Sequence, residues 1–366
     1  MGDAIEPGSS GVTLPVSDML RADGSWFAGE GPLGDAVLST RVRLARNLSG
    51  SRFPPRALPE ELHQILESLE AALGRTAPLA ARPLFRMEAL SALERQFLLE
   101  RHLASHELVS DGRHRGLAFA ADEALSVMVN EEDHLRLQGL APGFQLDACY
   151  AAVDALDTRL GQEVEYAFAD DFGFLTACPT NVGTGMRASV LIHLPALVLT
   201  RRIKKVLAGV SQVGLAVRGF YGEGTDVLGN FFQISNQITL GEKETQTLLN
   251  LERVIHQVLE HEARAREVLL KDAGDQIRDK VQRALGVLAH AHLLSSQEVV
   301  GLASAVRLGI TMEMEGLPPL RTVNALLLFV QPAHLQLRAG RELGSQERNA
   351  YRAALGREWL SQEQAA

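Results

Sequence analysis

The sequence predicts an α+β domain followed by a separate all-helical one, and three observations lead there. The 366 residues, 46% of them hydrophobic, are enough for two cores. From about residue 36 to 240, short apolar alternations broken by glycine turns are interleaved with helical stretches. Beyond about residue 242 the alternation stops, and helical spacing continues nearly to the end.

In chain order, residues 1–23 carry neither pattern and read as a flexible lead-in. The first domain is expected over 24–265 and the helical one over 266–366. "LSTRVRLARN" (38–47) reads as extended chain, and 60–73 and 88–104 have helical periodicity. "ALSVMVN" (124–130), "FGFLTAC" (172–178), "RASVLIHL" (187–194) and "FFQISNQITL" (231–240) alternate like strands. "ALVLTRRIKKVLAGVSQ" (196–212) is spaced as a helix. In the tail, Gly274, Gly286, "SSQE" (295–298) and "GLPP" (316–319) punctuate the helices.

Composition narrows the function. A net charge of −9 argues against nucleic acid as the main partner. No apolar run is long enough to span a bilayer, "NALLLFV" (324–330) included. The first residues lack the pattern of a secretory signal, and Glu6 stands where myristoylation favours Ser or Thr. Two cysteines make no disulfide framework, so the expected compartment is the reducing cytoplasm. Of 36 basic residues only five are lysine. Genomic base composition explains that blandly; a need for guanidinium forks that grip phosphate explains it functionally.

Four stretches carry chemistry. Arg41 and Arg43, two apart on extended chain, point to one face, where a polyanion would offset their repulsion. A solvated strand edge fits that pair equally well. In "VMVNEEDHLRLQG" (127–139) a strand runs into Glu131, Glu132 and Asp133, with Arg136 beyond. This is either a surface turn or a site in which one carboxylate is poised to take a proton. "CPTNVGTGMR" (178–187) offers Gly183 and Gly185, whose backbone N–H groups are expected to approach an anion, and Arg187 as a phosphate clamp. It lacks the Gly-Lys-Ser/Thr ending of a Walker loop, and Cys178 is otherwise an ordinary strand-end core residue. In "VRGFYGEGTDVLGNFFQISNQ" (217–237), glycines around Glu223 suggest a mobile loop with Arg218 at its mouth.

In their order and spacing, "STRVR", "NEEDHLR", "CPTNVGTGMR" and "RGFYGEG" resemble the phosphagen (ATP:guanidino) kinases. "GSWFAGEGPLGDAVLSTRVRLARNL" (24–48) is similar to the start of the bacterial protein arginine kinases within that family. The resemblance runs from about residue 18 to the C-terminus. It implies a catalytic domain with an antiparallel sheet flanked by helices. Fewer than 40 residues precede "STRVR", and the helical domain follows it, as in the protein kinases rather than those acting on free creatine or arginine.

The resemblance also implies the site. It places ATP, with Mg²⁺ held mainly by phosphate and water, on Ser39, Thr40, Arg41, Val42 and Arg43, and on His102 and Arg136. Arg187, Ala188, Ser189, Val190 and Leu191 continue that site, as do Arg218, Gly219, Phe220, Tyr221 and Gly222. Glu132 and Glu223 match the carboxylates that grip the guanidinium, with Glu132 the candidate base, and Cys178 matches a substrate-contacting thiol. The phosphoarginine-binding motif Arg-Asp-x-x-Arg-Ala reads "RNAYRA" (348–353) here: Arg348 and Arg352 match, while Asn349 replaces the acid. The implied partners are arginine-containing proteins, an activating adaptor, an AAA+ unfoldase–protease and a second copy of the chain. A kinase for a free guanidino metabolite and a non-catalytic phosphoarginine reader are the competing functions.

Overall fold

The structure, a computed structural model, describes residues 13–21, 26, 29–219 and 227–364. Its strands are β1 (Val37–Arg46), β2 (Phe85–Arg86), β3 (Gly116–Phe119), β4 (Leu125–Val129), β5 (Leu135–Pro142), β6 (Phe168–Ala169), β7 (Gly173–Phe174), β8 (Met186–His193), β9 (Leu215–Gly219) and β10 (Phe231–Asn236). The helices are α1 (Val16–Met19), α2 (Pro59–Leu73), α3 (Ala92–Glu100), α4 (His106–Ser110), α5 (Leu146–Glu163), α6 (Pro195–Leu199), α7 (Ile203–Gln212), α8 (Glu244–His290), α9 (Ser296–Thr311), α10 (Leu320–Phe329), α11 (Pro332–Ala339) and α12 (Ser345–Gln364). Among the described residues, eight strands form one antiparallel sheet in the order β2-β3-β4-β5-β1-β8-β10-β9, and β6 and β7 pair as a separate ribbon.

Alternation gives this sheet two chemically different faces. Val42 and Leu44 of β1, Ala188 and Val190 of β8 and Ile234 of β10 are buried on one face, in a core shared with α5 and the first half of α8. Gly139 lets α5 approach that closely, because a Cβ there would lie 2.4 Å from Val153 Cγ2. The opposite face carries the arginines. A second core joins α9, α10 and α12 to Leu38, Leu191 and Phe231. Arg307 of α9, fully buried, donates to the carbonyl of Asp35 (3.1 Å) just before β1 and fixes the tail to the sheet.

Several expectations change in the structure. Residues 13–21 of the lead-in are packed, with Leu14 and Met19 buried beside Phe97 and Ala333. The 88–104 helix is shortened to α3, because Ser91 and Glu94 form a reciprocal cap. The 196–212 helix is two helices, broken where Arg201 takes a left-handed φ of 59°. "FGFLTAC" pairs only at Gly173 and Phe174, since Asp133 pulls Ala177 out of line by accepting its N–H (2.7 Å). Gly286 does not end a helix, whereas next to Gly274 the expected break is met: two helices join at a kink at Ala273 (φ −146°, ψ 28°) within the span of α8. Among the described residues no helix is long and apolar enough to cross a membrane.

Candidate active site

Register assembles the site. On β1, Arg43 stands opposite Gln138 of β5 and Arg187 of β8, and Arg41 stands opposite Leu140 and Ser189. Arg136 lies opposite Ala45, and Arg218 of the edge strand β9 lies opposite Gln233 of β10. All five arginines therefore share one face. The guanidinium of Arg41 donates to Gln233 Oε1 (3.1 Å). Burial, reinforced by Arg136, lowers its pKa to about 10. Burial and the charges of Arg41 and Arg136 push Arg43 well down, and Arg43 Nε is buried with no hydrogen-bond partner. Arg187 is lowered by burial and then by Arg218 and Arg136. Such a cluster is electrostatically unfavourable until an anion enters it.

The neighbouring acids have separate fates. Burial raises the Glu131 carboxyl, but Arg136 and the hydroxyl of Ser105 outweigh it and hold the group below its ordinary value. Arg136 Nη1 donates to Glu131 Oε1 at 2.6 Å. Asp133 is buried and accepts from Asn47 Nδ2 (2.6 Å) and Ala177 N (2.7 Å). Between them, the half-buried Glu132 carboxylate accepts no hydrogen bond from the described residues. Burial and then Asp133 push it above the usual carboxylate range. A proton acceptor needs just that environment.

Cys178 reaches this place on the loop that Asp133 anchors. Thr176 Oγ1 donates to its carbonyl (2.7 Å), and its Sγ lies 3.1 Å from Thr180 Oγ1. The glycines of that stretch do something other than expected. Gly183 (φ 110°) and Gly185 (φ 64°) are left-handed, and a Cβ on either would strike a carbonyl: Thr239 O at 2.2 Å and Ala45 O at 2.6 Å. The N–H of Gly183 is already given to Phe174 O (3.2 Å). These glycines let strands pack closely.

At the far end of the sheet, Trp26, Ser39, Arg41, His102, Ser189, Leu191 and Gln233 line a narrow cleft. His102, in a left-handed turn (φ 60°), meets Trp26 edge to face at 4.8 Å. Burial, then Arg41 and His334, lower its pKa to about 3, so the ring is neutral. Gln138 Nε2 fixes the turn by donating to His102 O (2.8 Å).

Not every expected residue faces the cluster. Thr40, Val42, Ala188 and Val190 point to the other face: the last three are core, and Thr40 Oγ1 donates to Gly143 O (2.7 Å). Gly219 ends β9, whereas Phe220, Tyr221, Gly222 and Glu223 lie outside the described residues. Arg348, Asn349 and Arg352 lie on α12 and do not line the cleft. The sequence named Glu131 and Asp133 only as members of the acid cluster, without roles, and Gln138 and Gln233 not at all. Of these, Gln138 and Gln233 follow from strand alternation once the strands are paired.

Residues 64–265 match the family described as ATP:guanido phosphotransferase, C-terminal catalytic domain. The chain belongs to that family. Residues 274–366 match the protein-arginine kinase McsB C-terminal domain. The chain is 45% identical to a protein-arginine kinase of Moorella thermoacetica, over 93% of this chain and 99% of that one. It is also 45% identical to one of Symbiobacterium thermophilum, over 93% and 98%. Among solved structures, the duplicated taurocyamine kinase from Schistosoma mansoni with transition-state-analogue components superposes with a TM-score of 0.57 at 27% identity. That match covers 63% of this chain and 33% of the other. A lombricine kinase shares the fold (TM-score 0.56, 21% identity, 72% and 71% covered).

Proposed function

We propose that this chain is a protein arginine kinase, transferring the γ-phosphoryl group of ATP to arginine side chains of proteins. The observation that carries it is the juxtaposition of five arginines on one sheet face with one uncommitted carboxylate, Glu132. The family membership and the two protein-arginine kinase relatives support the same reading.

A protonated guanidinium is a poor nucleophile, with a pKa above about 12. Glu132 accepts a proton from the attacking nitrogen, with Glu223 assigned to orient the group and Cys178 beside it. The N–P bond forms as the bond from the γ-phosphorus to its bridging oxygen breaks, and ADP leaves. Arg41, Arg43, Arg136, Arg187 and Arg218 meet the phosphate charge. Among the described residues no group of three His, Cys, Asp or Glu side chains could hold a metal ion. The cationic donor set fits nucleotide phosphates, so Mg²⁺ would ride on those phosphates and supply further charge neutralisation.

The division into a catalytic unit (24–265) and a helical unit (266–366) draws support from matches that end at 265 and begin at 274. We place the chain in the cytoplasm as a homodimer or higher oligomer. There it would mark proteins for an AAA+ unfoldase–protease under an activating adaptor, roles that rest on the resemblance alone. ATP consumption measured with an unstructured arginine-rich protein, with free arginine and with neither tests the assignment. Turnover with the protein is expected; turnover only with free arginine would move the chain to guanidino metabolism.

A further inference from the structure

A groove of about 640 Å³ lies away from the arginine face, between α7 and α8, with Leu197 of α6 also lining it. Its floor is apolar, with Val206 and Val210 from α7 and Val254 and Val258 from α8. The lining positions on α7 and its two flanking cap residues (202, 205, 206, 209, 210 and 213) and on α8 (254, 257, 258, 261 and 264) each follow a helical stripe for about three turns. Within α7 only Val210 is fully buried, and just past its end Val213 is 48% exposed. At Gly209 an added Cβ would meet nothing within 4 Å, so the groove is open in its middle.

The rim is mainly cationic. Arg202, Lys205, His261 and Arg264 edge the groove, and among the described residues no acidic one lines it. Arg201, Arg202, Lys204 and Lys205 crowd the start of α7, where the helix dipole disfavours cations. Two of the chain's five lysines are here, in a protein of net charge −9. Among the described residues none of these four cations pairs with a carboxylate; the ion pair at the rim is the exposed one from Arg264 to Glu260 (3.4 Å).

We infer that this groove docks an acidic amphipathic helix of a partner protein. Two neighbouring helices with parallel apolar stripes leave room for a third, whose apolar residues at i, i+3, i+4 and i+7 would fill the valine floor. Carboxylates flanking that stripe would offset the four unpaired cations. A concave slot favours inserted side chains over a flat bilayer. The groove also lies beside β9, the edge strand that carries Arg218, because α7 packs against that strand.

The test is fluorescence anisotropy with a labelled synthetic peptide of about three helical turns, bearing Leu at the four anchor positions and Glu elsewhere. A second peptide with Lys in place of Glu serves as comparison. Saturable, salt-sensitive binding of the acidic peptide alone is expected. Gly209→Leu, which fills the open middle of the groove and favours helix, should weaken binding tenfold or more. The double variant Arg202→Glu/Lys205→Glu should do the same, and basal ATP turnover should be unchanged in both. Equal binding of the two peptides, or full binding by Gly209→Leu, would overturn the inference. So would absence of binding with capture of the protein by vesicles of three parts phosphatidylcholine to one of phosphatidylglycerol. Concentration-dependent self-association abolished by Gly209→Leu, without peptide binding, would instead assign the groove to a second copy of the chain.

Discussion

Arg43 on β1 and Arg187 on β8 stand directly opposite one another in the sheet. Like charges so placed cost roughly 0.2–1 kcal/mol, and here Arg41, Arg136 and Arg218 add to the repulsion. Arg187→Gln is therefore expected to raise stability without nucleotide while abolishing the stabilisation that ATP confers. Thermal unfolding with and without Mg-ATP checks both halves. An apo protein less stable than the parent would contradict the assignment of this face to phosphate.

Glu131 and Glu132 are adjacent yet differently employed. Glu132→Gln should lower kcat by about 10²–10⁴-fold with little change in the KM for ATP. Glu131→Gln frees Arg136 from its carboxylate partner and should act mainly on that KM. Because burial and Asp133 raise Glu132, activity is lost as pH falls through a point above the ordinary carboxylate range. Steady-state kinetics from neutral to acid pH measures that limb, which should vanish from the residual activity of Glu132→Gln.

Asp133 links the Glu132 turn to the Cys178 loop through Asn47 and Ala177. Replacing it by Ala leaves two buried donors unmet, at about 1–3 kcal/mol each. Urea unfolding should report that loss, and the KM for the guanidino substrate should rise more than the KM for ATP.

Four imidazoles are kept neutral. His102 is pushed down to about 3 by burial and Arg41, and His134 to about 4 by burial. His193 and His334 are also lowered, mainly by burial. Each depressed group takes up its proton more readily when unfolded, so stability falls as pH drops below about 6.5 and keeps falling toward the folded-state values. His334 also ties the tail to the nucleotide end: Glu100, at the end of α3, accepts from Ala333 N (3.0 Å), His334 N (3.2 Å) and His334 Nδ1 (2.9 Å). Urea midpoints between pH 7.5 and 5 should decline steeply, and a flat profile would contradict this burial.

Arg352 is buried, and its guanidinium donates to Val330 O (2.9 Å), Leu294 O (2.8 Å) and Asn349 Oδ1 (2.8 Å). It therefore holds α12 against the segments on either side. Added phosphoarginine is expected to leave the kinase rate unchanged, whereas Asn349→Asp gives Arg352 a charged partner and should raise stability. Activation of the parent protein by phosphoarginine would refute this.

The strands that hold Arg41, Arg43 and Arg187 were legible because period-2 alternation is strong in 38–47 and 187–194, as it is in the neighbouring 231–240. β3, β5 and α5 were not singled out. Gly116, Leu117, Ala118 and Phe119 are all buried, so no polar alternation marks β3. Gly139 has no side chain to contribute to the pattern of β5, and α5 is recognisable mainly by what it covers. Single residues of the site were readable by type, whereas their division of labour was not. Nothing in "NEED" says which acid stays uncommitted, because Ser105, Asn47 and Ala177 come from distant parts of the chain. The glycines of "CPTNVGTGMR" misled for a similar reason: their left-handed φ was foreseeable, but the carbonyls they make room for were not.

The most direct test of the central claim is peptide mass spectrometry, with acid avoided throughout. The parent protein and Glu132→Gln are incubated with Mg-ATP and an unstructured arginine-rich protein such as casein. A phosphoryl group localised to arginine side chains by the parent, and nearly absent with the folded, ATP-binding variant, is the predicted result. Arginine phosphorylation undiminished in Glu132→Gln would contradict the assignment of the base, and no phosphoarginine from the parent would contradict the proposed function itself.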